Sequence, residues 1–297
     1  KSFLGLACII SLARAVHASD DTTKESTTFQ EESEPRRETH ESFSTHENLR
    51  ASQPHVMMID SSYRRYHASS LRPLFVCTQR LRSLTELELN FYASDMGDTG
   101  AHHLARALES LTRLSVLRID LGSSQVGDLG VARLAYGLSY LDSLCSLTVS
   151  IYGHFLENPL HASGTEHFSR AIRSMLTLER LDLNLSSNRI RSTGAILLSR
   201  AITTLSRLTY LRLNLFGNEI RGRALPEISR AIGGLEHIER CELNLERNPI
   251  RDNEALSLIE QAVETRRNNS HRDGGQSLTI FHLQVRGPTG ITRENKY

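Results

Sequence analysis

Few residues in this chain have the type and spacing that metal binding or catalysis requires. His154, His161 and His167 lie close together in sequence, and imidazole is a common metal ligand. The four cysteines are Cys8, Cys77, Cys145 and Cys241. No two of them form a Cys-x-x-Cys pair, and no GxxxxGK, GxSxG or HExxH signature is present. Because histidines in loops are usually solvated, we expect no metal site. Because no catalytic or phosphate-binding signature is present, we also expect no cofactor and no enzymatic activity.

A second group of residues has side chains that are common in protein interfaces. Arg180, Tyr210 and Arg240 recur 30 residues apart, and Arg212 follows Tyr210 by two positions. Tyrosine and arginine are enriched among the residues that dominate binding energy. The alternative interpretation is internal: either flanking arginine stacks on Tyr210 as a cation–π pair. Both interpretations require that consecutive copies of a repeated element place these residues side by side.

That element is an internal repeat. An apolar-x-apolar-x-apolar pattern begins at residues 87, 117, 147, 181, 211 and 241, and a helical pattern follows each copy, as in 194–202. The spacing predicts one strand and one helix per repeat, stacked into a solenoid with parallel strands. Strand positions 181, 183 and 185 should face the helices, and the positions between them should face away. Cys241 replaces a strand leucine and is predicted to be a small core residue.

These residues resemble the leucine-rich repeat family over about residues 74 to 265. The resemblance is carried by Leu178-x-x-Leu181-x-Leu183 with Asn188 and Ile190, a pattern that returns at 208–220 and 238–250. It is most similar to the ribonuclease-inhibitor-like subclass with protist-type 30-residue repeats. The resemblance implies an α/β horseshoe with a parallel sheet on the concave side and helices outside. It also implies binding of protein partners, without naming one.

The strand positions that face away from the helices predict three rows on the concave face. One row contains Arg180, Tyr210 and Arg240, and the next places Arg212 between Asp182 and Glu242, which should occupy it. The third row consists of Asn90, Asp120, Ser150, Asn184, Asn214 and Asn244. We expect the side chains of this third row to bond to one another along the sheet. We therefore rank Arg180, Tyr210 and Arg240 above Arg212 as partner-binding residues.

The repeats also predict features away from this face. On the helices, a recurring arginine predicts a convex basic stripe of Arg106, Arg170, Arg200 and Arg230. This stripe is either a solvated face or a dock for an acidic segment. Ser94, Ser124 and His154 replace the loop asparagine in the first three copies, so those loops should satisfy their backbone groups differently. The alternation in 278–285 predicts a final strand that covers the sheet edge.

We divide the chain into four parts. Residues 1–18 are an apolar segment that is typical of a secretory or membrane signal, with a mitochondrial presequence or a plain helix as alternatives. Residues 19–65 are an acidic arm predicted to be disordered. The repeat domain spans 66–270, and 271–297 contain the final strand and a tail. The signal-like segment favours a secretory or membrane compartment over the cytoplasm or mitochondrion.

The net charge of +1 provides no global field for nucleic acid, and 23% charged residues do not suit a membrane bundle. The sequence therefore predicts a non-catalytic scaffold that captures a protein partner on its concave face, as a monomer or within a hetero-complex. One alternative is an accessory subunit of a large assembly, organellar for example, anchored by the N-terminal arm. A GTPase-activating or ubiquitin-ligase substrate-recognition role is a further alternative.

Overall fold

The computed structural model describes residues 55–63, 71–72, 75–76, 78–79, 81–153, 160–250, 262, 264 and 280–284. The signal-like segment 1–18, residues 19–54 of the predicted arm, His154 and the tail after residue 284 lie outside the described residues. The predictions made for those segments therefore remain predictions.

Eight strands form one parallel sheet whose strand order follows the chain. The strands are β1 Val56–Asp60, β2 Glu86–Asn90, β3 Val116–Asp120, β4 Ser146–Ser150, β5 Arg180–Asn184, β6 Tyr210–Asn214, β7 Arg240–Asn244 and β8 Ile280–Gln284. Residues at equivalent repeat positions pair between each two neighbouring strands from β2 to β7. The residues that were predicted to form rows therefore lie side by side across the sheet. The sheet is open, with β1 and β8 at its two ends.

Helices connect the strands and lie on one side of the sheet. They are α1 Gly97–Leu108, α2 Asp128–Leu138, α3 Ala162–Ser174, α4 Arg191–Ile202 and α5 Leu225–Gly234, the last preceded by a short 3₁₀ helix, Gly222–Ala224. Neighbouring helices pack on one another along the stack. None of the described helices is long and apolar enough to cross a bilayer.

The core lies between the sheet and the helices, as the alternation predicts. Leu181, Leu183 and Leu185 are almost completely buried, and Leu198 and Ile202 of α4 are buried with them. Each such side chain contributes about 1.5–3 kcal/mol through removal of apolar surface from water. One continuous cluster of buried residues runs from Ile59 to Leu283. No repeat therefore carries a core of its own.

Strand β1 lies in a part of the chain that we assigned to the acidic arm. It pairs with β2, with Val56 beside Glu86 and Asp60 beside Asn90. The predicted arm, residues 19–65, therefore extends too far. The signal for this strand was its position, because Val56 precedes Glu86 by one repeat length. At the other end, β8 pairs with β7 where the sequence predicts a final strand.

The loops after the strands are held by buried side chains that bond to the backbone. The Asn218 side chain donates to the carbonyls of Leu185 and Phe216, at 2.8 and 3.2 Å. In the earlier repeats the smaller Ser94 and Ser124 hydroxyls donate to a single carbonyl each. Both serines are fully buried. The early and late loops therefore differ as expected: a serine bonds one backbone carbonyl, whereas an asparagine bonds two.

Candidate functional site

The concave face brings the four predicted binding residues together in the first half of strands β5, β6 and β7, with Arg180, Tyr210 and Arg240 as the first residues of those strands. Arg180 pairs with Tyr210, and Tyr210 pairs with Arg240, in the sheet register. Arg212 lies two residues along β6, beside Asp182 and Glu242. We call Arg180, Tyr210, Arg212 and Arg240 the central patch. Its side chains project away from the helices because they occupy the alternate strand positions.

Arg180 and Tyr210 form the stacked pair of the central patch. The guanidinium carbon of Arg180 lies 4.3 Å from the centre of the Tyr210 ring, which is within the cation–π range. Arg180 is exposed and Tyr210 is half-buried. No carboxylate among the described residues lies within ion-pair distance of Arg180. Burial raises the pKa of Tyr210, so its hydroxyl stays protonated at neutral pH.

Arg240 differs from Arg180 in a way that the sequence analysis missed. Its guanidinium carbon lies 5.8 Å from the centre of the Tyr210 ring. Its Nη2 and Nε atoms also lie 2.6 and 2.7 Å from Oε1 of Glu242. Glu242 therefore bonds Arg240 as well as Arg212, whereas the sequence analysis assigned it to Arg212 alone. The reason is that side chains two residues apart in one strand share a face.

Arg212 is occupied as the sequence predicts. Its Nη1 atom lies 3.5 Å from Asp182, and its Nε atom lies 3.4 Å from Glu242. Burial raises the pKa of Asp182, while the charge and hydrogen bond of Arg212 oppose that shift. Because Arg212 is about half exposed, this network contributes little to stability. The charge of Arg180 also acts to lower the pKa of Asp182, but within the central patch Arg180 is the cation that has no carboxylate within ion-pair distance among the described residues.

Five of the six side chains of the third row, from Asn90 to Asn244, form hydrogen bonds with the backbone and not with one another. Asn214 Oδ1 accepts a hydrogen bond from the backbone N–H of Phe216, at 3.2 Å. The same turn recurs at Asn90, Asp120, Asn184 and Asn244. At these five of the six positions, the side chain accepts from a backbone donor two residues later, instead of bonding along the sheet. The row is structural, as predicted, but its mechanism is local.

The convex arginine stripe is paired with carboxylates. Arg106 bonds Glu109 within its own helix, and Arg170 bonds Glu166. Arg200 and Arg230 share Glu227, whose pKa is lowered by the two hydrogen bonds. The stripe therefore matches the solvated-face interpretation better than the acidic-dock interpretation.

A tyrosine cluster on the N-terminal part of the concave side was missed. Tyr63 packs edge-on against Tyr92, with ring centres 5.2 Å apart, and Tyr92 stacks on Tyr152 at 5.8 Å. Gly122 lies beneath the last two rings, and a Cβ there would lie only 2.7 Å from Tyr152 and 2.9 Å from Tyr92. The signal was present in the sequence, because tyrosines flank a glycine at the same position of successive repeats.

The described residues contain no group of three His, Cys, Asp or Glu side chains that could hold a metal ion. His161 lies 3.4 Å from Asp128, at the start of α3, where the Asp128 carboxylate also accepts from the His161 backbone N–H. This carboxylate therefore joins two repeats. Cys241 is fully buried, and burial raises the pKa of its thiol to about 12. It is a core residue, as predicted.

Three comparisons with known proteins bear on this geometry. Residues 177–199 match a family model described as Leucine Rich repeat. No curated protein matches the chain. A solved structure of leiomodin-1 actin-binding site 2 (ABS2) is similar over 59% of this chain and 95% of that chain, with 12% identity and a TM-score of 0.39. The matched repeat comprises β5 and most of α4, and together with the open parallel sheet it identifies the fold as a leucine-rich repeat α/β solenoid.

Proposed function

We propose that this protein is a non-catalytic scaffold that captures the acidic surface of a protein partner at the central patch. One observation carries the proposal: the exposed Arg180 guanidinium stacks on Tyr210, and no carboxylate among the described residues pairs with it. Its neighbours Arg212 and Arg240 are already paired with Asp182 and Glu242. Arg180 is therefore the group of the patch that gains most from a carboxylate supplied by a partner.

The stacked geometry suits that role. A guanidinium that lies over an aromatic ring keeps its N–H edge free for a bidentate bond with a carboxylate. The ring also restricts the arginine rotamers before binding, so less conformational entropy is lost when the partner docks. Tyr210 adds apolar surface that a partner side chain can cover. Residues of this kind at the centre of an interface contribute about 2 kcal/mol or more each.

The remaining residues of the central patch should contribute less. A partner carboxylate that approaches Arg240 must compete with Glu242, whose Oε1 is 2.6 Å away. Arg212 is shared between Asp182 and Glu242. We therefore expect the order Arg180 and Tyr210 first, then Arg240, then Arg212. This order refines the sequence-based ranking, which placed Arg240 with Arg180.

The test is affinity capture with single variants, followed by quantitative mass spectrometry. We expect Arg180→Ala and Tyr210→Ala to reduce recovery of the partner at least tenfold, which corresponds to about 1.4 kcal/mol. Both side chains lie outside the core, so the melting temperature should change little.

The matched control is Arg200→Ala. Arg200 is exposed, as Arg180 is, but it lies on the helix side and bonds Glu227. We expect this variant to retain capture. If Arg200→Ala abolished capture while Arg180→Ala and Tyr210→Ala had no effect, the proposal would be wrong.

A further inference from the structure

The concave face has a second exposed surface at its N-terminal end, over strands β1 to β3. Val56 and Met58 project from β1 with 62% and 60% of their surface exposed. They lie beside Glu86 and Glu88 of β2 in the sheet register. Tyr63, which is 75% exposed, lies just beyond the end of β1. We call Val56, Met58, Tyr63, Glu86 and Glu88 the N-terminal subsite.

The charge of this subsite is opposite to that of the central patch. Its strands carry Asp60, Glu86, Glu88 and Asp120 on the concave face, and the cation there is Arg118. Arg118 lies 4.0 Å from Glu88, which is the limit of an ion pair. Glu86 has no ion-pair partner among the described residues. A ligand with positive charge would therefore complement this end of the sheet.

Aromatic rings strengthen the preference for a cation. Tyr63 and Tyr92 form an edge-to-face pair, and Tyr92 stacks on Tyr152 across Gly122. The pKa of Asp120, beneath these rings, is raised by burial. The Asp120 charge in turn helps to raise the pKa of Tyr152 to about 12. A cation beside the rings would be attracted by their faces and would stabilise this carboxylate.

We propose that the N-terminal subsite binds a basic, partly apolar segment of a protein partner. One lysine or arginine of that segment would lie on Tyr63, beyond the end of β1, and another would pair with Glu86 at the start of β2, while its apolar residues cover Val56 and Met58. This inference rests on the proposed function in one respect, namely that the concave face receives the partner. It adds the chemistry and orientation of that partner, whose basic segment and acidic surface would lie about 20 Å apart, or four strand spacings.

The experiment uses the full chain and a fluorescent basic peptide in which leucine alternates with arginine or lysine. A second peptide with glutamate at every basic position is the probe control. We expect fluorescence anisotropy to show binding of the basic peptide at low salt, with the acidic peptide at least tenfold weaker. Equal affinity for the two peptides, or no binding of the basic one, would overturn the proposal.

Two variant pairs separate a site from general charge attraction. Glu86→Lys should weaken the affinity for the basic peptide at least tenfold. Glu166→Lys on α3 changes the net charge equally, and its affinity should stay within twofold of wild type. Tyr63→Ala should weaken binding at least threefold, and Tyr136→Ala on the convex side should not. Alanine is tolerated at this turn, because Ala93 has the equivalent positive φ of 52°. Equal effects within either pair would contradict the inference.

Failure of this inference can be distinguished from failure of the proposed function. The peptide assay requires no cellular partner, and Arg180→Ala should leave the basic-peptide affinity unchanged. Loss of peptide binding in Arg180→Ala would place the basic segment at the central patch and overturn the assignment to β1–β3. Circular dichroism and melting of each variant confirm that the fold is retained.

Discussion

At the residue scale, the loop asparagines join neighbouring repeats. Asn218 donates from its side chain to two carbonyls and accepts from the backbone N–H of Ile190 at 3.4 Å. Its own backbone N–H donates to Asn248 of the next repeat at 2.9 Å. Removal of the Asn218 side chain would leave the buried Ile190 N–H without this acceptor, while the Leu185 and Phe216 carbonyls would keep bonds from Asn188 and Ser187.

We therefore predict that Asn218→Ala lowers the free energy of unfolding by about 1–3 kcal/mol, the cost of one unsatisfied buried polar group. Asn214→Ala is the matched control, since Asn214 is half-buried and makes the single turn bond to Phe216. Its loss should cost about 1 kcal/mol or less. Urea denaturation followed by circular dichroism measures both values. Equal losses would show that the buried asparagine has no special structural role.

At the element scale, the two faces of each strand have separate roles. Odd positions fill the core between sheet and helices, and the positions between them form the concave surface. A core position cannot accept a charge, because no described partner lies between β5 and the helices to compensate it. The concave position next to it is open to water. Charged substitutions should therefore destabilise the protein on the core face of a strand and be tolerated on its concave face.

We predict that Leu183→Asp unfolds the repeats around β5, with a loss of at least about 4 kcal/mol from the cavity and the buried charge. Because each repeat contacts only its neighbours, the damage should split the stack at that point. Asn184→Asp is the control, since β3 already carries Asp120 at the equivalent position. Thermal melting distinguishes them. A wild-type melting curve for Leu183→Asp would contradict the assigned facing.

At the scale of the whole molecule, the repeat spacing alone predicted most of the fold. The intervals of 30 residues, with one of 34 between β4 and β5, predicted the register of β2 to β7, and alternation within each copy predicted the buried leucines. Strand β1 was missed because Ser61 stands at the third apolar position and the apolar Val56 and Met58 obscure the alternation with Met57 and Ile59. Pattern alone could not show which of several nearby carboxylates Arg240 selects. It also could not show that Gly122 lets two tyrosine rings meet.

The concave face of the whole solenoid is polarised, with acidic and aromatic residues over β1–β3 and the central patch over β5–β7. On the helices, the four arginines of the convex stripe are already neutralised by glutamates. Partners should therefore approach the sheet and not the helices. Under the proposed function, this separation would place binding on the sheet side and packing between the sheet and the helices.

Site-specific photo-crosslinking tests most directly whether partners dock on the sheet. A benzophenone amino acid replaces Thr148, a concave residue of β4 beside Asp182, or Arg173, an exposed residue of α3. Irradiation in cells followed by mass spectrometry of the adducts identifies what each position contacts. We predict a defined protein adduct from position 148 that disappears when Arg180→Ala is added, and none from position 173. An adduct from position 173 that survives Arg180→Ala, with nothing from position 148, would contradict capture on the concave face.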